Sequence, residues 1–174
     1  MGRLILLSLV LLEAGFLPVN LSAQENIPFQ GRFKSDGINI RVDSTVSSEV
    51  ICQAKRGDIV EVVSILYDWY KIRLPHNASS FVKDDFVEIY DDNTGIVLND
   101  NVNIRLRPDA SSVILGSANK DTQISILEHT NDGWYRITPI KNSFGWVHKN
   151  FIEKFEGAKT KTPKKKKKRG GPLD

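Results

Sequence analysis

Apolar and polar side chains alternate in short runs between residues 29 and 155, and each run ends at turn-forming residues. The clearest runs are residues 59–66 and 123–128, in which branched apolar side chains dominate. Such runs predict β-strands. No window of eleven residues in this region keeps the periodicity of an amphipathic helix. The Asn-Asp-Gly sequence at 131–133 adds a hairpin signal, because Asp-Gly tolerates the positive φ of a tight turn. We therefore expect an all-β fold.

The pattern occurs twice along the chain, with an offset of 64 residues that becomes 65 once Gly133 enters. Four segments match in the same order, namely residues 38–41 with 102–105, 47–51 with 111–115, 68–72 with 132–137, and 81–88 with 146–153. Four ordered matches at constant spacing indicate two copies of a unit of about 60 residues. Short strands at this spacing predict small closed barrels, which leave few free edges.

The second copy carries three motifs of a known family. These are VNIRLRP at 102–108, DGWYRI at 132–137 and FGWVHKNFI at 144–152, and together they resemble the bacterial SH3-like domain. The first copy is a divergent version, since Ser-Ser-Phe at 79–81 replaces Phe-Gly-Trp and no glycine precedes Trp69. The resemblance implies two tandem SH3-like β-barrels, over residues 29–90 and 95–156. It also implies a targeting or binding module, often for peptidoglycan or another envelope component, and it does not imply an enzyme.

The N-terminus is typical of a secretory signal peptide. Arg3 precedes an uncharged apolar run at 4–12, and Ala23 provides the small residue before a cleavage point. The run is shorter than the roughly 20 apolar residues that span a bilayer. We therefore expect residues 1–23 to be removed, leaving a periplasmic, secreted or cell-surface protein without a transmembrane anchor. An uncleaved signal anchor is the alternative.

The net charge of +3 conceals two oppositely charged parts, because residues 1–156 sum to −4 and residues 157–174 sum to +7. The C-terminal segment has too little apolar surface to fold, so we expect a disordered tail. For an exported protein, its partners would be anionic polymers or lipid head groups, and nucleic acid is not expected. A solubilising tail, or one that folds back onto the acidic body, is the alternative. The predicted contacts to an anionic surface are Lys164, Lys165, Lys166, Lys167, Lys168 and Arg169.

Two tryptophans in the second copy are candidates for contacting a ligand. Ile137 and Val147 are the natural core residues of two neighbouring strands, so alternation places Trp134 and Trp146 on the opposite face, with Trp134 exposed or half-buried. If these strands pair as a hairpin, the indoles form one aromatic shelf beside cationic donors. The predicted shelf consists of Trp134 and Trp146, flanked by Arg136 and His148.

The same alternation in the first copy gives Trp69 with Lys71, and Phe81 with Lys83. Aromatic rings beside cationic donors suit sugar rings, peptide stems or a proline-rich strand, because the rings supply rigid apolar area and the donors fix orientation. The alternative is that these aromatics plug the barrel ends as core side chains, since a small domain has little apolar surface to spare.

Two arginines occupy equivalent positions in the two copies. Arg41 and Arg105 each follow an Asn-Ile pair in the strand that starts the barrel. We expect each to hold a loop by hydrogen bonds and not to contact a ligand.

The residues offer little for catalysis or metal binding. A single cysteine excludes an internal disulfide and any multi-cysteine metal site, and we expect Cys52 to be a small core residue. His129 and His148 lack the spacing of a metal-binding pair. We expect no cofactor, no metal and no enzymatic activity. The paired acids at 91–92 are interpreted as the boundary between the barrels.

The leading hypothesis is an exported binding protein that engages peptidoglycan or an envelope protein, with the basic tail adding electrostatic retention. The alternative is a secreted adaptor whose ligand is another protein or a host polyanion. The identity of the ligand and the oligomeric state stay open.

Overall fold

The computed structural model describes residues 26–156, which form fourteen β-strands and two three-residue 3₁₀ turns. The predicted signal peptide and basic tail lie outside the described residues. The strands are β1 (Phe29–Phe33), β2 (Ile38–Arg41), β3 (Val50–Ala54), β4 (Ile59–Leu66), β5 (Trp69–Arg73), β6 (Ser80–Lys83), β7 (Val87–Asp91), β8 (Thr94–Val97), β9 (Val102–Arg105), β10 (Ile114–Ala118), β11 (Gln123–Thr130), β12 (Trp134–Ile137), β13 (Phe144–His148) and β14 (Ile152–Lys154). The 3₁₀ turns, Asp84–Phe86 and Lys149–Phe151, precede β7 and β14.

The strands form two antiparallel sheets of seven strands each. Sheet 1 has the order β14-β1-β4-β5-β13-β2-β3, and sheet 2 has the order β10-β9-β6-β12-β11-β8-β7. The predicted all-β fold with two SH3-like domains is confirmed. The Asp-Gly hairpin signal is also confirmed, because Gly133 joins β11 to β12 with φ of +74°. No helix long and apolar enough to cross a membrane occurs within residues 26–156.

Each sheet takes strands from both sequence repeats. Strand β13 of the second repeat lies between β5 and β2 of the first, and its residues Phe144–His148 pair along the whole of β5. In return, β6 of the first repeat lies between β12 and β9 of the second. The sheets therefore do not follow the repeat limits 29–90 and 95–156, because the repeats exchange their C-terminal strands.

The residues of the two hydrophobic cores show the same exchange of strands. Val147 and Ile152 belong to the second repeat but are buried in the core of sheet 1, where Val147 is fully enclosed. Val82 and Val87 belong to the first repeat but are buried in the core of sheet 2, where Val82 is fully enclosed. A fully buried valine contributes about 1.5–3 kcal/mol relative to an exposed one. Each core therefore depends on side chains that the other repeat supplies.

Two crossing segments, residues 74–79 and 138–143, carry the chain from one sheet to the other. They touch where the backbone N–H of Leu74 donates to the carbonyl of Ser143 at 3.0 Å. Ser143 also forms an isolated β-bridge with Gly116 on β10. A β-carbon on Gly116 would lie 1.9 Å from the carbonyl oxygen of Asn142, so the second crossing requires glycine at this place.

The interpretation of Asp91 and Asp92 as a boundary between barrels is wrong. Strands β7 and β8 form a hairpin within sheet 2, and residues 92–93 are its turn. The backbone N–H of Asn93 donates to Asp91 Oδ1 at 3.0 Å, which is a common way for aspartate to stabilise a turn. The carboxylates therefore shape a hairpin, and the chain passes between the sheets at the two crossing segments instead.

The exchange predicts which strands an engineered disulfide will join. Phe81 on β6 lies opposite Arg136 on β12, and opposed residues of antiparallel strands are about 4.5–5.5 Å apart, within the range of a disulfide. In a Cys52→Ser background, Phe81→Cys with Arg136→Cys should cross-link within the monomer. Non-reducing electrophoresis and intact mass measure the bond.

The matched control is Phe81→Cys with Lys71→Cys. In unexchanged barrels, Phe81 would take the place of its equivalent Trp146, which lies opposite Lys71. Cross-linking of this pair, without cross-linking of Phe81→Cys and Arg136→Cys, would contradict the exchange.

Gly116→Ala should destabilise the protein by about 1–3 kcal/mol, because the new methyl group overpacks against the backbone of Asn142. Urea unfolding measures the loss, and Ser117→Ala on the same strand is the control. Equal urea midpoints for the two variants would show that the crossing segment leaves room for a methyl group at position 116.

Candidate functional site

Two pockets occupy equivalent places in the two sheets, and each contains a tryptophan. The pocket that contains Trp134 has a volume of about 660 Å³, and the pocket that contains Trp69 has a volume of about 420 Å³. We name them the Trp134 pocket and the Trp69 pocket. The repeat offset relates their linings pair by pair, namely Trp134 to Trp69, Lys83 to His148, Asp85 to Asn150, Phe86 to Phe151, Asn103 to Asn39, and Arg105 to Arg41.

Both pockets are composites of the two repeats. Trp69 lies on β5, and the exchanged strand β13 with its following turn brings His148 and Phe151 to it. Trp134 lies on β12, and the exchanged strand β6 with its following turn brings Lys83 and Phe86 to it. The residues that surround each tryptophan therefore come from both halves of the chain.

The Trp69 pocket is lined by three aromatic rings in contact. His148 lies directly opposite Trp69 in the β5–β13 pairing, and the two rings meet edge to face with centroids 5.5 Å apart. The His148 ring also meets Phe151 at 6.1 Å. His148 Nδ1 accepts from the backbone N–H of Asn150 at 3.3 Å. An accepting Nδ1 carries no proton, so the neutral ring presents its N–H at Nε2.

The Trp134 pocket has a charged wall. Lys83 Nζ donates to the carbonyl of Gly133 at 2.8 Å and to Asp84 Oδ1 at 3.0 Å, while His129 Nε2 lies 3.1 Å from Asp84 Oδ2. The hydrogen bond to Asp84 raises the pKa of Lys83. Reciprocally, the hydrogen bonds from Lys83 and His129 lower the pKa of Asp84. Lys83 is thus a neutralised cation that anchors the turn beside Trp134.

The expectation that each of the two equivalent arginines holds a loop by hydrogen bonds is confirmed. Arg41 Nη1 donates to the carbonyl of Ser48 at 2.6 Å, and Arg105 Nη1 donates to the carbonyl of Ser112 at 2.7 Å. Each arginine thereby fixes the loop that follows its strand, and its side chain also lines the adjacent pocket.

The two pocket indoles keep their N–H groups available to a ligand. Within the described residues, neither Trp134 Nε1 nor Trp69 Nε1 has a hydrogen-bond partner, and the buried unpaired polar side-chain atoms are instead Ser80 Oγ and Ser143 Oγ. Solvent therefore reaches both indole nitrogens. Trp134 is only 7% exposed, and its side chain lines the pocket named after it.

The predicted shelf of Trp134 and Trp146 does not form. The two residues lie in different sheets, because β12 pairs with β11 and β6 whereas β13 pairs with β5 and β2. Trp146 faces Lys71, whose Nζ lies 5.8 Å from the indole centre. The prediction assumed that consecutive strands pair as a hairpin, and the exchange separates them.

The other predicted residues divide between the pockets and the sheet surfaces. Trp69 and His148 are brought together, as described above. Phe81 lies opposite Arg136, outside both pockets, and Arg136 Nε donates to Glu128 Oε2 at 2.9 Å. Trp134, expected to be exposed or half-buried, is buried, because β12 departs from strict alternation and buries both Trp134 and Ile137.

Cys52 is partly buried, and burial raises the pKa of its thiol to about 11. The thiol is therefore protonated at neutral pH and is a weak nucleophile. Across residues 26–156, no group of three or more histidine, cysteine or acidic side chains is placed to hold a metal ion.

A family model described as the bacterial SH3 domain matches residues 36–95 and 100–153, which together are more than half of the chain. The chain belongs to the bacterial SH3 domain family. The two matched regions correspond to the two sequence repeats, and thus to domains that share strands.

Among solved structures, the chain is similar to NlpC2 from Trichomonas vaginalis, with 12% identity, a TM-score of 0.26, and coverage of 75% of this chain and 49% of that one. It is also similar to NlpC1 from Trichomonas vaginalis, with 15% identity, a TM-score of 0.23, and coverage of 80% and 51%. The chain spans about half the length of these two proteins. No curated protein matches its sequence.

The sequence interpretation missed several pocket residues of these bacterial SH3 domains. Phe86 and Phe151 are the last residues of the two 3₁₀ turns, and Asn39 and Asn103 lie on the equivalent strands β2 and β9. Their signal was present, because each pair is identical between the repeats. What the sequence did not show is that the exchanged strands bring each phenylalanine to the tryptophan of the other repeat.

The interactions of Asp84 predict that the stability conferred by the 3₁₀ turn Asp84–Phe86 depends on pH. The pKa of Asp84 in the folded protein is below the ordinary value of 3.8, so its ionised form stabilises the fold above that pH. This stabilisation is lost as the pH falls through the lowered folded value. Asp84→Asn should therefore be less stable than the parent at pH 5, and the difference should shrink below about pH 4.

Urea unfolding at pH 5, 4, 3 and 2 measures that difference, with the exposed hairpin variant Asp92→Asn as the control. A difference that stays constant down to pH 2 would contradict the assigned interaction of Asp84 with Lys83 and His129.

Proposed function

We propose that this chain is an exported, non-catalytic binding protein that engages cell-wall peptidoglycan through the Trp69 and Trp134 pockets. Its basic tail adds attraction to anionic surfaces of the envelope. The observation that carries the proposal is the pair of equivalent tryptophan pockets, each with an indole N–H that has no partner among residues 26–156. Membership in the bacterial SH3 family agrees with a binding module.

The lining of each pocket fits a sugar–peptide polymer. Trp69 with Phe151, and Trp134 with Phe86, provide rigid apolar surfaces against which a sugar ring or a peptide side chain can pack. The indole N–H groups are donors for carbonyl oxygens, which N-acetyl groups and peptide bonds both supply. Recognition sites of this kind combine apolar walls with few convergent polar groups.

Two pockets in one chain suit a repetitive ligand. A polymer presents the same group many times, so engagement of one pocket raises the effective concentration of ligand at the other. Weak binding at each pocket then gives stronger retention of the whole protein. The exchange of strands fixes both pockets in one structure and so preserves their spacing.

The tail supplies a separate electrostatic contribution. Each lysine or arginine near an anionic surface contributes about 1 kcal/mol, and salt screens the attraction. The cluster of Lys164, Lys165, Lys166, Lys167, Lys168 and Arg169 therefore favours anionic polymers or lipid head groups. This contribution differs from pocket binding in its salt dependence, which makes the two separable.

The absence of catalysis is part of the proposal. The protonated, weakly nucleophilic thiol of Cys52 supports it. Turnover of peptidoglycan fragments that depended on Cys52 would contradict it.

The test is co-sedimentation of the mature chain, from Gln24, with isolated peptidoglycan at low and high salt. The double variant Trp69→Phe with Trp134→Phe keeps an aromatic ring at each position but removes both indole N–H donors. Each lost hydrogen bond is worth about 1 kcal/mol, so we expect salt-resistant affinity to fall about fivefold per pocket. Trp146→Phe is the matched control, because Trp146 lies outside both pockets, and it should bind like the parent.

A chain that ends at Glu156 retains every described residue and lacks the tail. Comparing it with the mature chain therefore measures the contribution of the tail. Binding that survives high salt and removal of the tail supports the pockets as the binding site. If binding disappears with the tail, or if the double variant and Trp146→Phe bind equally, the proposal for the pockets is wrong.

The second candidate function is that of a secreted protein that binds a host polyanion, and the lysine run favours it. It predicts retention on heparin that disappears when the residues after Glu156 are removed. Heparin retention without peptidoglycan binding would favour this candidate over the first.

A further inference from the structure

The two pockets differ in charge at equivalent positions. The Trp134 pocket is lined by three aspartates, whereas the Trp69 pocket has no carboxylate in its lining. Asp85 stands where the Trp69 pocket has Asn150, and Asp109 lies on the loop that Arg105 fixes. The third aspartate, Asp100, accepts the backbone N–H of Lys120 at 3.0 Å.

The cations of the Trp134 pocket are already engaged by the protein. Lys83 is held by Asp84 and the carbonyl of Gly133, and Arg105 is held by the carbonyl of Ser112. Asp85 is the freest acid, with a side chain 75% exposed and 3.8 Å from Lys83 Nζ. With Lys83 offset by Asp84, the lining leaves an excess of negative charge beside the buried indole.

A second feature of the pocket, independent of its charges, favours a ligand that carries a hydrogen-bond acceptor. Trp134 is more than nine-tenths buried, and its indole N–H has no partner within residues 26–156. A carbonyl oxygen on the ligand would complete it. Indole faces also attract ammonium groups, an effect that adds to the attraction of nearby carboxylates. A ligand that supplies both a carbonyl acceptor and an ammonium group is a peptide that carries an amine.

We propose that the Trp134 pocket binds an amine-bearing peptide segment, with the ammonium group against the aspartates and a backbone carbonyl on the Trp134 N–H. The Trp69 pocket, whose charged lining residue is Arg41, does not favour an amine. This assignment rests on the proposed function of the pockets, because it names the chemical class that one of them selects. By this assignment the two pockets select different parts of a ligand.

The experiment follows the indole N–H signals of the full-length chain by NMR during titration with three blocked tripeptides. Their central residues are lysine, norleucine and glutamate. Trp69→Phe, Trp134→Phe and Trp146→Phe assign the three signals. We expect the lysine peptide to shift the Trp134 signal at concentrations about two- to fivefold lower than the norleucine peptide, as for an exposed ion pair. The glutamate peptide should be weakest.

Asp85→Asn installs the residue of the other pocket, and it should reduce the preference for lysine over norleucine. Asn150→Asp is the reciprocal variant, and it should give the Trp69 signal a preference for lysine that the parent lacks. Asp92→Asn, on the β7–β8 hairpin, is the matched control and should preserve the parental preference.

Equal response of the Trp134 signal to all three peptides would overturn the assignment, and so would a preference that Asp85→Asn leaves unchanged. Neither result affects the peptidoglycan co-sedimentation, which tests the indole donors. Conversely, a lysine preference at Trp134 without any peptidoglycan binding would sustain the assignment and overturn the proposed function.

Discussion

The pairing of β13 with β5, and of β6 with β12, is the constraint on which the rest of the structure depends. Val147 and Val82 are fully enclosed in cores whose other members come mainly from the opposite repeat. Without β13, sheet 1 would separate between β5 and β2, and without β6, sheet 2 would separate between β12 and β9. The cost of exposing those strand edges and apolar side chains ties the two domains into one cooperative structure.

The geometry of both pockets depends on this strand pairing. A tryptophan on a resident strand meets a phenylalanine and a polar side chain that arrive on an exchanged strand. The position of each side chain is therefore set by backbone pairing in a sheet and not by a flexible loop. Divergence between the repeats has changed the charge of the lining while keeping the tryptophan, phenylalanine, asparagine and arginine at equivalent positions.

Local features of the fold could be predicted from the sequence because local chemistry determines them. The period-two runs become strands, Gly133 takes the positive φ that its hairpin requires, and Arg41 bonds the loop that follows its strand. The repeat and the family motifs likewise identified two SH3-like domains. These features depend on side chains close together in the sequence, or on similarity between its halves.

Strand partnership could not be predicted in the same way. Strand β12 pairs equally well, by pattern, with β13 or with β6, because the two are equivalent segments of a repeat. The choice depends on the crossing segments, where Gly116 admits the backbone of Asn142 and the Leu74 N–H meets the Ser143 carbonyl. The expected shelf of Trp134 and Trp146 failed at this step, and His148, expected to flank that shelf, lies opposite Trp69 instead.

Strand exchange also limits how such a chain can evolve. If one repeat were lost, the gap between β2 and β5, or between β9 and β12, could be filled only by the equivalent strand of the repeat that remains. Lys83 and Phe86 would then stand beside Trp69, or His148 and Phe151 beside Trp134, so the loss would change the lining of the surviving pocket. Within the exchanged pair, each pocket can still change its specificity by substitution of its own lining residues.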